Sequence, residues 1–165
     1  MNSTHMAYWI ETGLSAKLAI MARPNGGRHL EDEIRNLKRE GADVVVSLLT
    51  PEEDIELALE YERAACSGHG IHFRSFPIPD RDIPTSTEAF LRFIDTLHHD
   101  LIQGRCIVAH CRAGIGRSSL LLAALLRREG LSTDDAFRRI THARGALVPD
   151  TPEQLRWVEN LRLNP

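Results

Sequence analysis

Apolar positions recur along this chain with two different periods. Tyr8 to Ile10, Leu18 to Ala22, Val44 to Leu49 and Ile71 to Phe76 are short apolar or β-branched runs bounded by turn residues, which predicts strands. Val44 to Leu49 is apolar on both faces, as in a buried parallel strand. Arg105 to Ala109, after Gly104, is another such run. Other segments repeat every three to four residues, which predicts helices. Leu30, Ile34 and Leu37 do so up to Gly41, and Phe90, Phe93, Ile94, Leu97 and Leu101 form a longer stripe. Ser119 to Leu126 is almost all leucine and alanine, a buried helix stopped at Gly130. A further helix starts at Ser132, buries Phe137 and Ile140, and ends at Gly145. The last carries Leu155, Val158 and Leu161.

Helix starts are marked by capping boxes, in which a Ser or Thr and the acid or amide three residues on satisfy each other's backbone N–H. Thr50-Pro51-Glu52-Glu53 has this form and is expected to open a helix running to about Ala65. Thr85-Ser-Thr-Glu88 and Thr151-Pro152-Glu153-Gln154 repeat it. Arg23 to Gly27 and Pro77 to Pro84 are loops by their Pro and Gly content. Strands alternating with helices predict a single α/β domain, a central, mostly parallel sheet flanked by helices.

Composition narrows the function. The 165 residues suffice for one domain with a real core, and a net charge of −3 does not suggest a nucleic-acid partner. No apolar run approaches the roughly 18 residues of a membrane helix. Met1 to Met6 lacks the basic end and apolar run of a signal peptide. It reads as a cloning scar, leaving residues 7–165 as the expected domain. Cys66, Cys106 and Cys111 are odd in number and lack metal spacing, so a reduced, cytoplasmic compartment is expected, without metal or cofactor. Cys66 and Cys106 are expected to be structural, with Cys106 in the core.

The chemistry is concentrated in His110-Cys111-Arg112-Ala113-Gly114-Ile115-Gly116-Arg117-Ser118, which reads H-C-x-x-G-x-x-R-S between a buried strand and a buried helix. A strand, a glycine-bearing loop and a helix N-terminus aim a row of amides at one point, an anion site. A thiol placed there beside an arginine is acidified into a nucleophile. Cys111 is therefore the expected nucleophile and Arg117 the planar fork for two phosphate oxygens. The backbone from Arg112 through Ala113, Gly114, Ile115 and Gly116 to Arg117 forms the cradle. Ser118 is placed to hydrogen-bond the departing thiolate, and His110 to fix the loop through a backbone contact. The side chain of Arg112 is expected either to add positive potential or to lie solvated on the rim.

This stretch resembles the signature of the cysteine-dependent protein tyrosine phosphatase superfamily. The early Pro-Gly loop, Pro77 to Pro84 and Arg144-Gly145-Ala146 through Gln154 are similar to the dual-specificity branch, in particular the cyclin-dependent kinase-associated phosphatase group. The resemblance implies a protein tyrosine phosphatase-like fold and a phosphocysteine intermediate. Phosphoryl transfer to sulfur needs an acid for the leaving oxygen and then a base for water. Asp80, in the proline loop, is preferred for both over Asp82. Gln154 stands where the superfamily has the second glutamine of Gln-Thr-x-x-Gln, but Asp150 replaces the first, and Gln154 also fits as a capping-box residue.

The expected partner is a phosphorylated protein bearing phosphotyrosine, with phosphoserine and phosphothreonine also in view because no tyrosine-recognition loop is found. A phosphoinositide or inositol-phosphate phosphatase is the alternative. Ala113 and Ile115 speak against it, since such enzymes resemble this one but carry more basic loops. RNA 5′-phosphatases share the signature, but the charge balance disfavours them. A non-catalytic phosphoprotein-binding module is the remaining reading, disfavoured because cysteine, arginine and acid are all intact.

Overall fold

The computed structural model describes residues 6–163, so the sequence-based reading of Met1 to His5 lies outside the described residues. Five strands and seven α-helices alternate along them: β1 (Tyr8–Ile10), β2 (Leu18–Met21), α1 (Leu30–Glu40), β3 (Val44–Ser47), α2 (Pro51–Glu56), α3 (Glu62–Gly68), β4 (His72–Ser75), α4 (Thr87–Ile102), β5 (Ile107–His110), α5 (Arg117–Arg128), α6 (Thr133–Arg144) and α7 (Pro152–Glu159). The sheet order is β1-β2-β5-β3-β4, with β1 antiparallel to β2 and the other pairs parallel. β2, β3 and β5 are buried throughout, as their continuous apolar runs require.

Alternate residues of the central strands feed two cores. Ile20, Val46 and Ala109 join α4, α5, α6 and α7 on one face. Ala19, Val45 and Val108 join α1 and α3 on the other. α5 is buried from Arg117 through Leu126, which explains its unbroken apolar composition. β5 lies between β2 and β3, so the segment leaving its carboxyl end emerges where strand order reverses, the usual ligand site of such sheets. No helix of the described residues is long and apolar enough to cross a membrane.

Three local expectations are corrected. The helix opening at Thr50 ends at Glu56 and a separate one resumes at Glu62. Ala58 takes φ 55° between them, and its carbonyl accepts a hydrogen bond from Gly27 N at 2.9 Å. The Arg23–Gly27 loop thus competes with helix continuation and wins. At α4 the cap is Ser86, which accepts from Ala89 N at 3.1 Å, while Glu88 turns to Arg92 at 2.6 Å instead of closing a box with Thr85. Cys106 is half-buried just before β5 rather than in the core, and its sulfur accepts from Lys17 N at 3.4 Å. Asp43 exchanges hydrogen bonds with the Cys106 backbone and holds it short of the strand.

One buried polar group ties the far end of the sheet together. Asp100 of α4, fully enclosed, accepts from Arg74 of β4 at 2.9 and 3.2 Å and from Arg105 at 2.8 Å. Burial opposes its charge, but the two guanidiniums outweigh this and hold its carboxyl below the ordinary value. A depressed folded-state pKa contributes stability that is present above the unfolded value and lost as pH falls through the folded one. Asp100→Ala, which strands Arg74 and Arg105, is expected to cost about 2–3 kcal/mol, below the range for a wholly buried pair because both arginines reach solvent. Urea denaturation at neutral pH measures it, and the difference from the native protein shrinks in acid.

Candidate active site

In the loop between β5 and α5 the carbonyls of three successive residues, Arg112, Ala113 and Gly114, are drawn to partners outside the loop. Arg23 N donates to Arg112 O at 3.2 Å, and Arg144 of α6 donates to Ala113 O at 3.2 Å and Gly114 O at 3.0 Å. Arg144 is itself seated on the Tyr8 ring, 4.5 Å from its centroid. The Ile115 and Ser118 amides are turned the other way, to the Cys111 sulfur. Gly114 has φ 68°, and a Cβ there would lie 2.4 Å from the Met21 backbone, so only glycine fits. A Cβ on Gly116 would meet Gln154 and Asp150 at 2.9 Å, which seats α7 directly behind the loop.

Cys111 is buried at the centre, its sulfur 3.3 Å from Ser118 Oγ. Burial alone would push its thiol up. The Ser118 hydroxyl, the amides of Ser118 and Ile115 and the Arg117 charge outweigh it and bring the thiol below its ordinary value. Cys66 differs: burial, aided by the Glu62 charge, pushes its thiol up to about 12. The described residues include no cluster of His, Cys, Asp or Glu able to hold a metal ion.

Arg117 is 1% exposed, and both of its terminal nitrogens are engaged. Its Nη1 and Nη2 grip Glu53 at 2.6 and 3.0 Å, Nη1 donates to Ile78 O at 2.8 Å, and Nη2 donates to Asp80 at 3.0 Å. Glu53 closes the capping box with Thr50 at the same time. Burial raises its carboxyl, but Arg117 and the Thr50 amide bring it down to about 2. The capping pattern concealed this second use, which no signal in the sequence distinguishes. Arg112 turns outward to Glu53 at 3.3 Å and Glu56 at 2.9 Å, so its positive charge on the rim is balanced.

Asp80 and Asp82 separate clearly. Asp80 faces Arg117 and its side chain is 55% exposed. Asp82 caps the next turn through Ile83 N at 2.8 Å, and its carbonyl accepts from Gln154 Nε2 at 3.1 Å. Gln154 Oε1 accepts from the Asp150 and Thr151 amides, both at 3.1 Å. Both ends of that amide are thus committed to capping α7 and tying down the Asp80 loop. His110 contacts the Cys111 carbonyl at 3.4 Å, as the sequence suggested, but its other nitrogen meets Glu62 at 2.6 Å, a partner the sequence did not reveal.

The chain resembles known phosphatases in both sequence and shape. Protein tyrosine phosphatase type IVA 3 of Bos taurus is 28% identical over 135 residues, which cover 81% of this chain and 72% of that protein. A kinase associated phosphatase with a serine substituted for its catalytic-site cysteine shares the fold at TM-score 0.87 and 21% identity, over 98% of this chain and 96% of that one. Tk-PTP in its active form superposes at TM-score 0.75 with 28% identity, over 94% and 97% of the two chains. The family described as Tc-R-P, polymorphic toxin system, DSP-PTPase phosphatase, matches residues 19–131, the span from β2 to the end of α5 that builds the loop, and the chain belongs to that family of cysteine-dependent, dual-specificity-type phosphatases.

Proposed function

We propose that this protein, as one domain over residues 7–165, hydrolyses phosphotyrosine, and also phosphoserine or phosphothreonine, in proteins through a phosphocysteine intermediate. The observation that carries the reading is the convergence of Cys111 Sγ, the inward loop amides, the Arg117 fork and the Asp80 carboxyl within one loop system. Glu53 takes the Nη1–Nη2 edge of Arg117, so phosphate is read by the Nε–Nη2 edge once Asp80 leaves Nη2. The Cys111 thiolate attacks phosphorus in line, the P–O bond to the substrate breaks, and Asp80 gives its proton to the leaving oxygen. Water then attacks the phosphocysteine, Asp80 accepts its proton, and the departing thiolate is met by Ser118. Gln154 acts in this scheme by holding the Asp80 loop rather than by positioning water.

The near-balanced rim supports protein over lipid substrates, because Glu53 and Glu56 offset the basic residue within the loop, Arg112. Turnover of para-nitrophenyl phosphate in EDTA, followed by matched panels of phosphopeptides and phosphoinositides, tests both parts. Faster turnover of phosphoinositides than of every phosphopeptide would overturn the substrate class. Asp80→Asn is expected to lower kcat by roughly 10²–10³-fold with poor leaving groups and to do so far less with good ones. Asp82→Asn is expected to stay within about threefold of the native rate, since the Asp82 contact to Gln154 is made by its backbone.

A further inference from the structure

We propose that Glu62 is a positioning residue for Cys111, acting through His110, which it holds as an imidazolium directly behind the phosphate loop. The proposal rests on the reading of Cys111 as nucleophile and adds a residue that lies outside the loop, at the start of α3.

Both side chains are enclosed, Glu62 at 1% and His110 at 0% exposure. Nε2 of His110 meets Glu62 Oε1 at 2.6 Å, and Nδ1 faces the Cys111 carbonyl at 3.4 Å. A carbonyl oxygen and a carboxylate oxygen only accept, whereas a neutral imidazole has one donor and one lone pair. Either neutral tautomer would set a lone pair against an oxygen, and the imidazolium alone donates at both ends. The second oxygen of Glu62, Oε2, is buried with no hydrogen-bond partner among the described residues. A proton on Oε2 would have no acceptor, and a proton on Oε1 lies 2.6 Å from Nε2, which is intrinsically the more basic atom, so it passes to the ring and leaves the ionised pair. The ionised pair is therefore the state the geometry accommodates. Burial pushes His110 down, but Glu62 outweighs it and the imidazole is raised above its ordinary value.

The orientation of the pair gives it a function. The positive ring lies on the Cys111 side and the negative carboxylate on the far side, so the nearer charge favours a thiolate. The ionisable groups around the pair include Asp54 of α2, Cys66 of α3 and, across Cys111, Arg117 of α5. Asp54 is itself pushed up to about 6, by burial and then by Glu62. The β-strand neighbours of His110, Met21 and Ser47, do not titrate. The break between α2 and α3 makes Glu62 the first residue of α3, from which its side chain reaches His110 at the end of β5.

Glu62→Gln keeps the shape and an acceptor for a neutral His110 but removes the charge that holds the proton. The measurement is the rate of iodoacetate alkylation against pH, with modified Cys111 quantified by peptide mass so that Cys66 and Cys106 do not contribute. The midpoint for Cys111 is expected to rise by about one unit or more, which lowers the rate about tenfold at pH values below both midpoints. An unchanged midpoint in a folded variant overturns the proposal. Where the variant does not fold, ¹⁵N shifts of the His110 ring in the native protein decide: two protonated nitrogens between pH 6 and 8 support the proposal, and a neutral tautomer overturns it. Alkylation reads the thiol itself, so a shifted midpoint in a protein that hydrolyses no phosphoester supports the role of Glu62 while sinking the phosphatase mechanism.

Discussion

Cys111→Ser is expected to lower kcat on para-nitrophenyl phosphate by roughly 10⁴-fold or more, because covalent transfer has no substitute nucleophile in the loop. The surroundings of Cys111 are built for a charged sulfur. Burial opposes ionisation, but Ser118, two amides and Arg117 overcome it. A serine hydroxyl in the same place stays protonated, since its intrinsic acidity lies far beyond what those groups shift. The variant should still bind tungstate or a phosphopeptide, because the amides and Arg117 are untouched, and calorimetry checks that the site remains formed. More than about one per cent of native turnover would contradict a cysteine mechanism. In the native enzyme kcat/KM should fall in acid through a midpoint below the roughly 8.5 of an ordinary thiol. The sign follows from the depressed value: the active thiolate persists above it and is lost as pH drops through it.

Arg117→Lys should lower kcat/KM by roughly 10²–10³-fold while leaving the protein folded. A lysine still places a positive charge beside Glu53, so no buried carboxylate is stranded. It cannot, however, grip Glu53 along one edge and read two phosphate oxygens with the other. Inorganic phosphate and vanadate should weaken as inhibitors by a similar factor, which separates loss of oxyanion binding from loss of nucleophilicity. Retention of native vanadate affinity would show that the amides alone hold the phosphate.

Much of this arrangement was legible in one dimension because it depends on short-range rules. The strands β2, β3 and β5 announce themselves as apolar runs, and α5 as a leucine-alanine block, because elements buried on all sides leave no polar periodicity. The caps at Thr50, Ser132 and Thr151 are local hydrogen bonds between a side chain and an amide three residues on. The loop signature is equally local, since the close approach at Gly114 and the αR turn into Arg117 constrain residue type at fixed spacing. The α4 cap lies one residue beyond Thr85 because Ser86 also stands three residues before an amide, that of Ala89, and accepts from it.

What tertiary structure alone decided is pairing across distance. Glu53, Glu62 and Arg144 come to the loop from 64, 48 and 30 residues away, and nothing in their local sequence separates them from solvated charges. Glu53 was visible as a cap but not as the partner of Arg117. Likewise, Asp80 and Asp82 are two residues apart in one loop; the sequence preferred Asp80, and it is Asp80 that meets Arg117 while the Asp82 side chain caps Ile83 N. The physical reason is common to all these cases. A buried charge is tolerated only when an opposite charge meets it in the interior, and that condition is set by where the backbone brings two distant segments together. Short-range patterning set the sheet, the buried helix and the loop around Cys111, whereas the packing of distant segments set which acids meet that loop's arginines and histidine.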